Sequence, residues 1–129
     1  MRYKSTRGES PEVTFSEVLL GGLAPDGGLY MPEAFPQFSI KEIQSWSELS
    51  FDQLASKILY PFVKEEIDED TFLDLLKDAY STFDEKDVVK LEKLENNRWI
   101  LELFHGPTLA FKDVAMQLLG VLLNHFAKE

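Results

Sequence analysis

The sequence contains no cysteine, which removes disulfides and cysteine-ligated metals from consideration and leaves the redox compartment open. Histidine is nearly absent too. His105 and His125 are too far apart to act as a helical ligand pair, no H-E-x-x-H occurs, and no metal site is expected. Basic residues are scarce: 13 lysines and arginines face 23 acidic residues, for a net charge of −10. That balance argues against nonspecific nucleic-acid binding and against an anionic membrane surface. Long apolar runs are also missing. The most apolar stretch, around Val121 to Leu123, is bounded by Gln117 and Asn124 and cannot span a bilayer. Met1 to Lys4 is basic but no apolar run follows, so no signal peptide is expected. A soluble, cytoplasmic protein is the resulting expectation.

What remains is an ordinary globular composition. Hydrophobic residues at 44% are enough for a packed core in a 129-residue chain. Tyr3 to Arg7 alternates and favours a short strand, ended by Gly8 and Pro11. Thr14-Phe15-Ser16-Glu17 has the capping-box pattern, with Val13 and Val18 placed as a hydrophobic staple. Gly21-Gly22 ends that helix. Pro25-Asp26-Gly27-Gly28 predicts a turn, and Leu29-Tyr30-Met31 leaves it extended until Pro32. The paired glycines belong to turn chemistry, because no G-x-G-x-x-G or Walker pattern is present.

Two further capping boxes begin at Ser39 and Ser50. The second opens a helix through Leu54, Ile58, Leu59 and Phe62, in which Pro61 predicts a kink. Asp68 caps another helix, with Phe72, Leu75, Leu76, Ala79 and Tyr80 at helical spacing. The charge-rich stretches 64–70 and 84–87 read as solvated caps and loops. Val88 to Leu94 and Arg98 to Phe104 then predict a hairpin turned at Asn96-Asn97. Gly106-Pro107 stops the second strand, and Thr108 is placed to cap a last helix through Met116, Leu119, Leu122, Leu123 and Phe126.

That strand–turn–helix puts Lys112 at a helix start, where the backbone dipole disfavours a cation. The same field, with Leu109 and Phe111 as apolar surroundings, would raise its neutral, nucleophilic fraction. The residues alone admit two readings: a reactive amine, or the commoner solvated lysine offset by Asp113.

Leu101 to Asp113, L-E-L-F-H-G-P-T-L-A-F-K-D, resembles the lysine motif of threonine synthases, fold-type II enzymes dependent on pyridoxal phosphate. Y-K-S-T-R-G at Tyr3 to Gly8 and G-L-A-P-D-G-G-L-Y-M-P at Gly22 to Pro32 resemble the N-terminal domain of the same family. The resemblance implies an α/β enzyme, α+β within this stretch. Residues 1–83 would be a helix-rich N-terminal domain, and residues 84–129 the incomplete start of the cofactor domain. It implies that Lys112 holds pyridoxal 5′-phosphate as a Schiff base, with Phe111 beside the cofactor. The implied reaction converts O-phospho-L-homoserine and water to L-threonine and phosphate.

Arg7, Thr108 and His105 are candidates for the phosphorylated substrate. Each has a plainer alternative: Arg7 as a surface charge, Thr108 as a cap, and His105 packed beneath the turn without a partner. The family's glycine-rich phosphate loop lies C-terminal to the lysine, so the sequence is expected to be a fragment, inactive alone. The apolar face of its last helix would then be under-covered and prone to self-association. Two other outcomes remain open: a phospholyase that eliminates phosphate and leaves a keto acid, and a non-catalytic folding or interaction module.

Overall fold

The computed structural model describes residues 1–128. Among these residues nine elements follow one another: β1 (Tyr3–Ser5), α1 (Phe15–Gly21), β2 (Tyr30–Pro32), α2 (Ile40–Ser45), α3 (Phe51–Val63), α4 (Glu69–Tyr80), β3 (Lys90–Lys93), β4 (Trp99–Glu102) and α5 (Asp113–Phe126). The class is mixed α+β. Among the described residues the strands form two separate antiparallel ribbons, β1 with β2 and β3 with β4.

Capping places α1, α2 and α4 where the sequence predicts them. The Thr14 hydroxyl accepts from the Glu17 N–H while Glu17 Oε2 accepts from the Thr14 N–H (2.7 Å). Ser39 and Glu42 repeat the arrangement at α2, and Asp68 Oδ1 accepts from the Thr71 N–H (3.0 Å) at α4. Gly22 ends α1 at φ 72°, a backbone state glycine adopts without strain. Helix α3 runs on through Pro61 to Val63.

The ribbons are shorter than their patterns suggested. Val88 sits at φ 63°, uncommon for a β-branched residue, with its side chain buried, so extended pairing begins only at Lys90. Asn96 and Asn97 both have positive φ, as the primed hairpin turns require, and the Leu94 N–H closes the turn on the Arg98 carbonyl (2.8 Å). In the other ribbon Tyr3 pairs with Pro32 and also bridges Val13. Its phenol donates to the Phe62 carbonyl (2.8 Å), tying β1 to α3.

The core lies where α3, α4 and α5 meet. Ala55 and Val63 from α3, Phe72, Leu76 and Ala79 from α4, and Leu118, Leu122 and Phe126 from α5 are buried together with Ile67. Phe15 of α1 closes one side against Phe126, with ring centroids 6.0 Å apart. Tyr80 is wedged between α3 and α5: its ring meets Phe51 edge-on at 4.9 Å, and its hydroxyl donates to the Val114 carbonyl (3.0 Å). The last helix is covered along Leu118, Leu122 and Phe126, while Leu119 and Leu123 of the face expected to be under-covered are only partly buried and Met116 is exposed. Helix α5 ends at Phe126, and Glu129, taken from sequence as the end of that helix, lies outside the described residues.

Stretch 64–70 is more specific than a solvated loop. The Glu66 carboxylate accepts from the Ser16 N–H (2.9 Å) and the Ser16 hydroxyl (2.8 Å), holding an anion over the start of α1.

Candidate functional site

The segment from β4 to α5 is shaped by backbone turns and one buried carboxylate. The Leu109 N–H donates to the Gly106 carbonyl (3.0 Å), with Leu109 at φ 60°, and the Asp113 N–H donates to Ala110 (2.9 Å). Asp113, the first residue of α5, is buried. Its Oδ2 accepts from the Thr108 N–H (2.8 Å), and its Oδ1 accepts from the Thr108 hydroxyl (2.8 Å) and the Gln117 amide (3.3 Å). Burial pushes its carboxyl upward, but donors from Thr108, Gln117 and the Ala110 peptide outweigh that and hold it below the ordinary aspartate value. Gly106 is buried against this carboxylate.

Thr108 is thus not the N-cap. That position is Lys112, in right-handed helical geometry and without a side-chain capping bond. Thr108 donates its hydroxyl proton to Asp113 rather than accepting from the helix start. Asp113 does more than oppose the helix dipole, since it closes the turn.

Lys112 is exposed, and its ammonium has no hydrogen-bond or ion-pair partner among the described residues. Leu109 and Phe111 do not enclose it, being 68% and 65% exposed. The expected apolar surround is absent for a simple reason. Once α5 directs Leu118 and Leu122 toward α3 and α4, the turn before it projects away from the core.

His105 has a partner that the sequence reading missed. Its Nε2 lies 2.8 Å from Glu102 Oε2, both side chains are half-buried, and its ring lies 4.7 Å from that of Phe104. The spacing of three residues is the available signal, hidden because the expected strand continues to Phe104, whereas β4 ends at Glu102 and the chain beyond it brings His105 back to that carboxylate. The His105 carbonyl accepts from the Asp84 N–H (2.9 Å), fixing the strand end.

Arg7 is engaged elsewhere. Its Nη1 donates to the Asp26 carbonyl (2.9 Å), above Gly27. The Asp26 carboxylate in turn accepts from the Ser5 hydroxyl (2.7 Å) and from the Gly28 and Glu9 N–H groups. The structure therefore brings Thr108, Phe111 and Lys112 into one turn with His105 leading into it, while Arg7 belongs to the Asp26 turn. No group of three or more potential metal ligands occurs among the described residues.

An antiparallel ribbon running into a turn that carries a lysine to the start of α5 defines a lysine-presenting strand–turn–helix within a mixed α+β chain. Comparison makes this specific. Residues 2–80 match the family described as "Threonine synthase N terminus", and the chain belongs to that family. It is 52% identical over 125 residues to threonine synthase of Pseudomonas aeruginosa, covering 97% of this chain and 27% of that protein. It is 42% identical to "Threonine synthase-like 2" of Mus musculus, covering 100% of this chain and 27% of that one. The crystal structure of pyridoxal-phosphate-bound threonine synthase from Brucella melitensis superposes with a TM-score of 0.95 at 46% identity, covering 99% of this chain and 28% of that one. The chain thus spans about a quarter of the length of the relatives it matches.

Proposed function

We propose that this chain is the lysine-bearing N-terminal part of a threonine synthase acting on O-phospho-L-homoserine, with Lys112 as the residue that holds pyridoxal 5′-phosphate. The observation that carries this is Lys112 itself: an exposed amine with no partner among the described residues, on a strand–turn–helix, within the F-K-D of a chain of this family. An amine free of a competing carboxylate is what attack on a carbonyl needs.

The described residues fit the covalent end of the cofactor. Its phosphate calls for backbone N–H groups at a helix start, and Gly21-Gly22 and Gly27-Gly28 instead end a helix and form a turn. The phosphate cradle is assigned to sequence that the longer relatives carry. When bound, pyridoxal phosphate supplies an electron sink for charge developing at substrate carbons.

This chain's own residues have separate tasks. Lys112 would hold the group and move protons at the substrate, and Phe111, exposed beside it, would help to bind the cofactor. His105, held by Glu102 through Nε2, has its other ring nitrogen left for the phosphorylated substrate. Arg7 keeps donors beyond its bond to Asp26, and a guanidinium fork suits a substrate phosphate. We assign residues 1–83 to the N-terminal domain and 84–129 to the start of the cofactor domain. The proposed compartment is the cytoplasm; no helix among the described residues is long and apolar enough to cross a membrane.

Incubation with pyridoxal phosphate, borohydride reduction and peptide mapping test the assignment. A label concentrated on Lys112 and lost in Lys112→Arg supports it, whereas equal labelling of all lysines overturns it. A second outcome open to the same lysine is elimination of phosphate to a keto acid. Product analysis of the complete enzyme separates keto acid from threonine.

A further inference from the structure

The Asp113 carboxylate is committed in a way that a helix-start acid does not require. A carboxylate opposing the dipole needs only proximity and tolerates solvent. Asp113 is instead 3% exposed and divides its two oxygens among three donors, two of them from Thr108. Gly106 leaves it the space, and the turn between them carries Leu109 at positive φ. Lys112 is joined to this knot by one peptide bond.

We infer that Asp113 is the positioning residue for Lys112, using Thr108 to fold the segment from Gly106 onto the first turn of α5 and so fix the direction in which the lysine side chain leaves the helix start. The inference rests on the assignment of Lys112 as the cofactor lysine. A carboxylate accepts from all three donors at once. An asparagine keeps one accepting oxygen for the Thr108 N–H and forces the Thr108 hydroxyl and the Gln117 amide to turn and accept from its NH2, which replaces charge-assisted bonds with weaker neutral ones. The Thr108 side chain must supply a hydroxyl proton, which serine also offers and valine does not.

The test uses the full chain, with Asp113→Asn, Thr108→Val and Thr108→Ser compared with the parent. The first readout is amide hydrogen exchange at Thr108 and Leu109, with Phe72 and Leu76 amides as reference. The second is the share of reduced pyridoxal-phosphate label found on Lys112 relative to all other lysines. Loss of a tie of this kind opens a local segment roughly ten-fold more often. Asp113→Asn and Thr108→Val should therefore speed exchange at Thr108 and Leu109 by about that factor, leave the reference amides unchanged, and lower the Lys112 share several-fold. Thr108→Ser should restore both, which a purely steric effect at position 108 would not produce. Unchanged loop exchange in both disruptive variants overturns the inference, as does a loosened loop with an undiminished Lys112 share. If Asp113→Asn fails to fold, the valine and serine pair carries the same test. If label is already spread evenly in the parent, the assignment of Lys112 falls, and the exchange readout alone decides whether Asp113 holds this segment.

Discussion

The space beside Gly106 is taken by Asp113. A Cβ added at Gly106 would stand 2.4 Å from the Asp113 Cβ and 2.6 Å from its Oδ2, closer than real atoms approach. The obstacle is a buried side chain at the first turn of α5, held by Thr108 and Gln117, so it cannot swing aside as a flexible surface chain would.

Gly106→Ala should therefore destabilise the chain by overpacking, by about 1–3 kcal/mol, although Gly106 needs no positive φ. Urea unfolding gives the figure. A midpoint equal to the parent's would show that the turn relaxes at no cost and that this contact does not shape it.

The second prediction concerns acid. Donation from the Ser5 hydroxyl, opposed by burial and supported by Gly28, Ser10 and the Glu9 N–H, holds the Asp26 carboxyl at about 2 against an ordinary 3.8. Because the folded value lies below the unfolded one, its stabilisation is complete above 3.8 and disappears as pH falls toward 2. Ser5→Ala should raise the Asp26 titration and shift the acid loss of stability to higher pH. Carboxyl NMR titration of both proteins is the check, and an unperturbed Asp26 in the parent would contradict the geometry.

Two substitutions separate packing from polar ties in the core. Leu76 is fully buried, so Leu76→Ala should cost about 2–5 kcal/mol. Tyr80→Phe removes only the hydroxyl that reaches the Val114 carbonyl and should cost about 0.5–1.5 kcal/mol. Equal losses from the two would place Tyr80 outside the role described.

At Lys112, arginine keeps the cation but cannot form an imine, and alanine removes the amine. Both variants should keep the parental melting curve, because an exposed side chain with no partner among the described residues contributes little to stability. Both should lose specific attachment of pyridoxal phosphate. A strongly lowered melting temperature in both would mean that Lys112 has a structural contact.

The isolated chain should not turn over O-phospho-L-homoserine, since its described glycine turns do not open onto a helix start that could hold the cofactor phosphate. Metal-independent release of phosphate by the pure 129-residue chain would contradict this.

Local signals were the legible ones. The capping pairs Thr14–Glu17 and Ser39–Glu42, the Asn96-Asn97 turn and the α4 stripe each depend on residues a few positions apart. Contacts across the chain were not: Tyr3 with Phe62, Ser16 with Glu66 and Tyr80 with Val114 leave no periodic trace. At the candidate site the motif marked Lys112 but misread its neighbours. Thr108 was assigned a cap because Ser and Thr usually accept from helix starts, whereas here a buried carboxylate five residues on competes for its proton. The partner of His105 is hidden because the pattern extends the strand to Phe104, whereas it ends at Glu102 and the chain turns back over that side chain. Exposure of Leu109 and Phe111 was hidden too, since the direction of the turn depends on which face of α5 meets α3 and α4.

Sharing one core between α3, α4 and α5 also orders events in time. The α3–α4 pair is joined by a short loop, so its contacts close quickly, whereas α5 docks across a much longer stretch of chain. In a polypeptide made from its N-terminus, the platform emerges from synthesis before the helix it receives. Lys112 thus gains a defined place last, on a surface already assembled. Folding kinetics would show it: Leu76→Ala should slow folding, and Leu118→Ala should mainly hasten unfolding. The reverse pattern would mean that α5 nucleates the core.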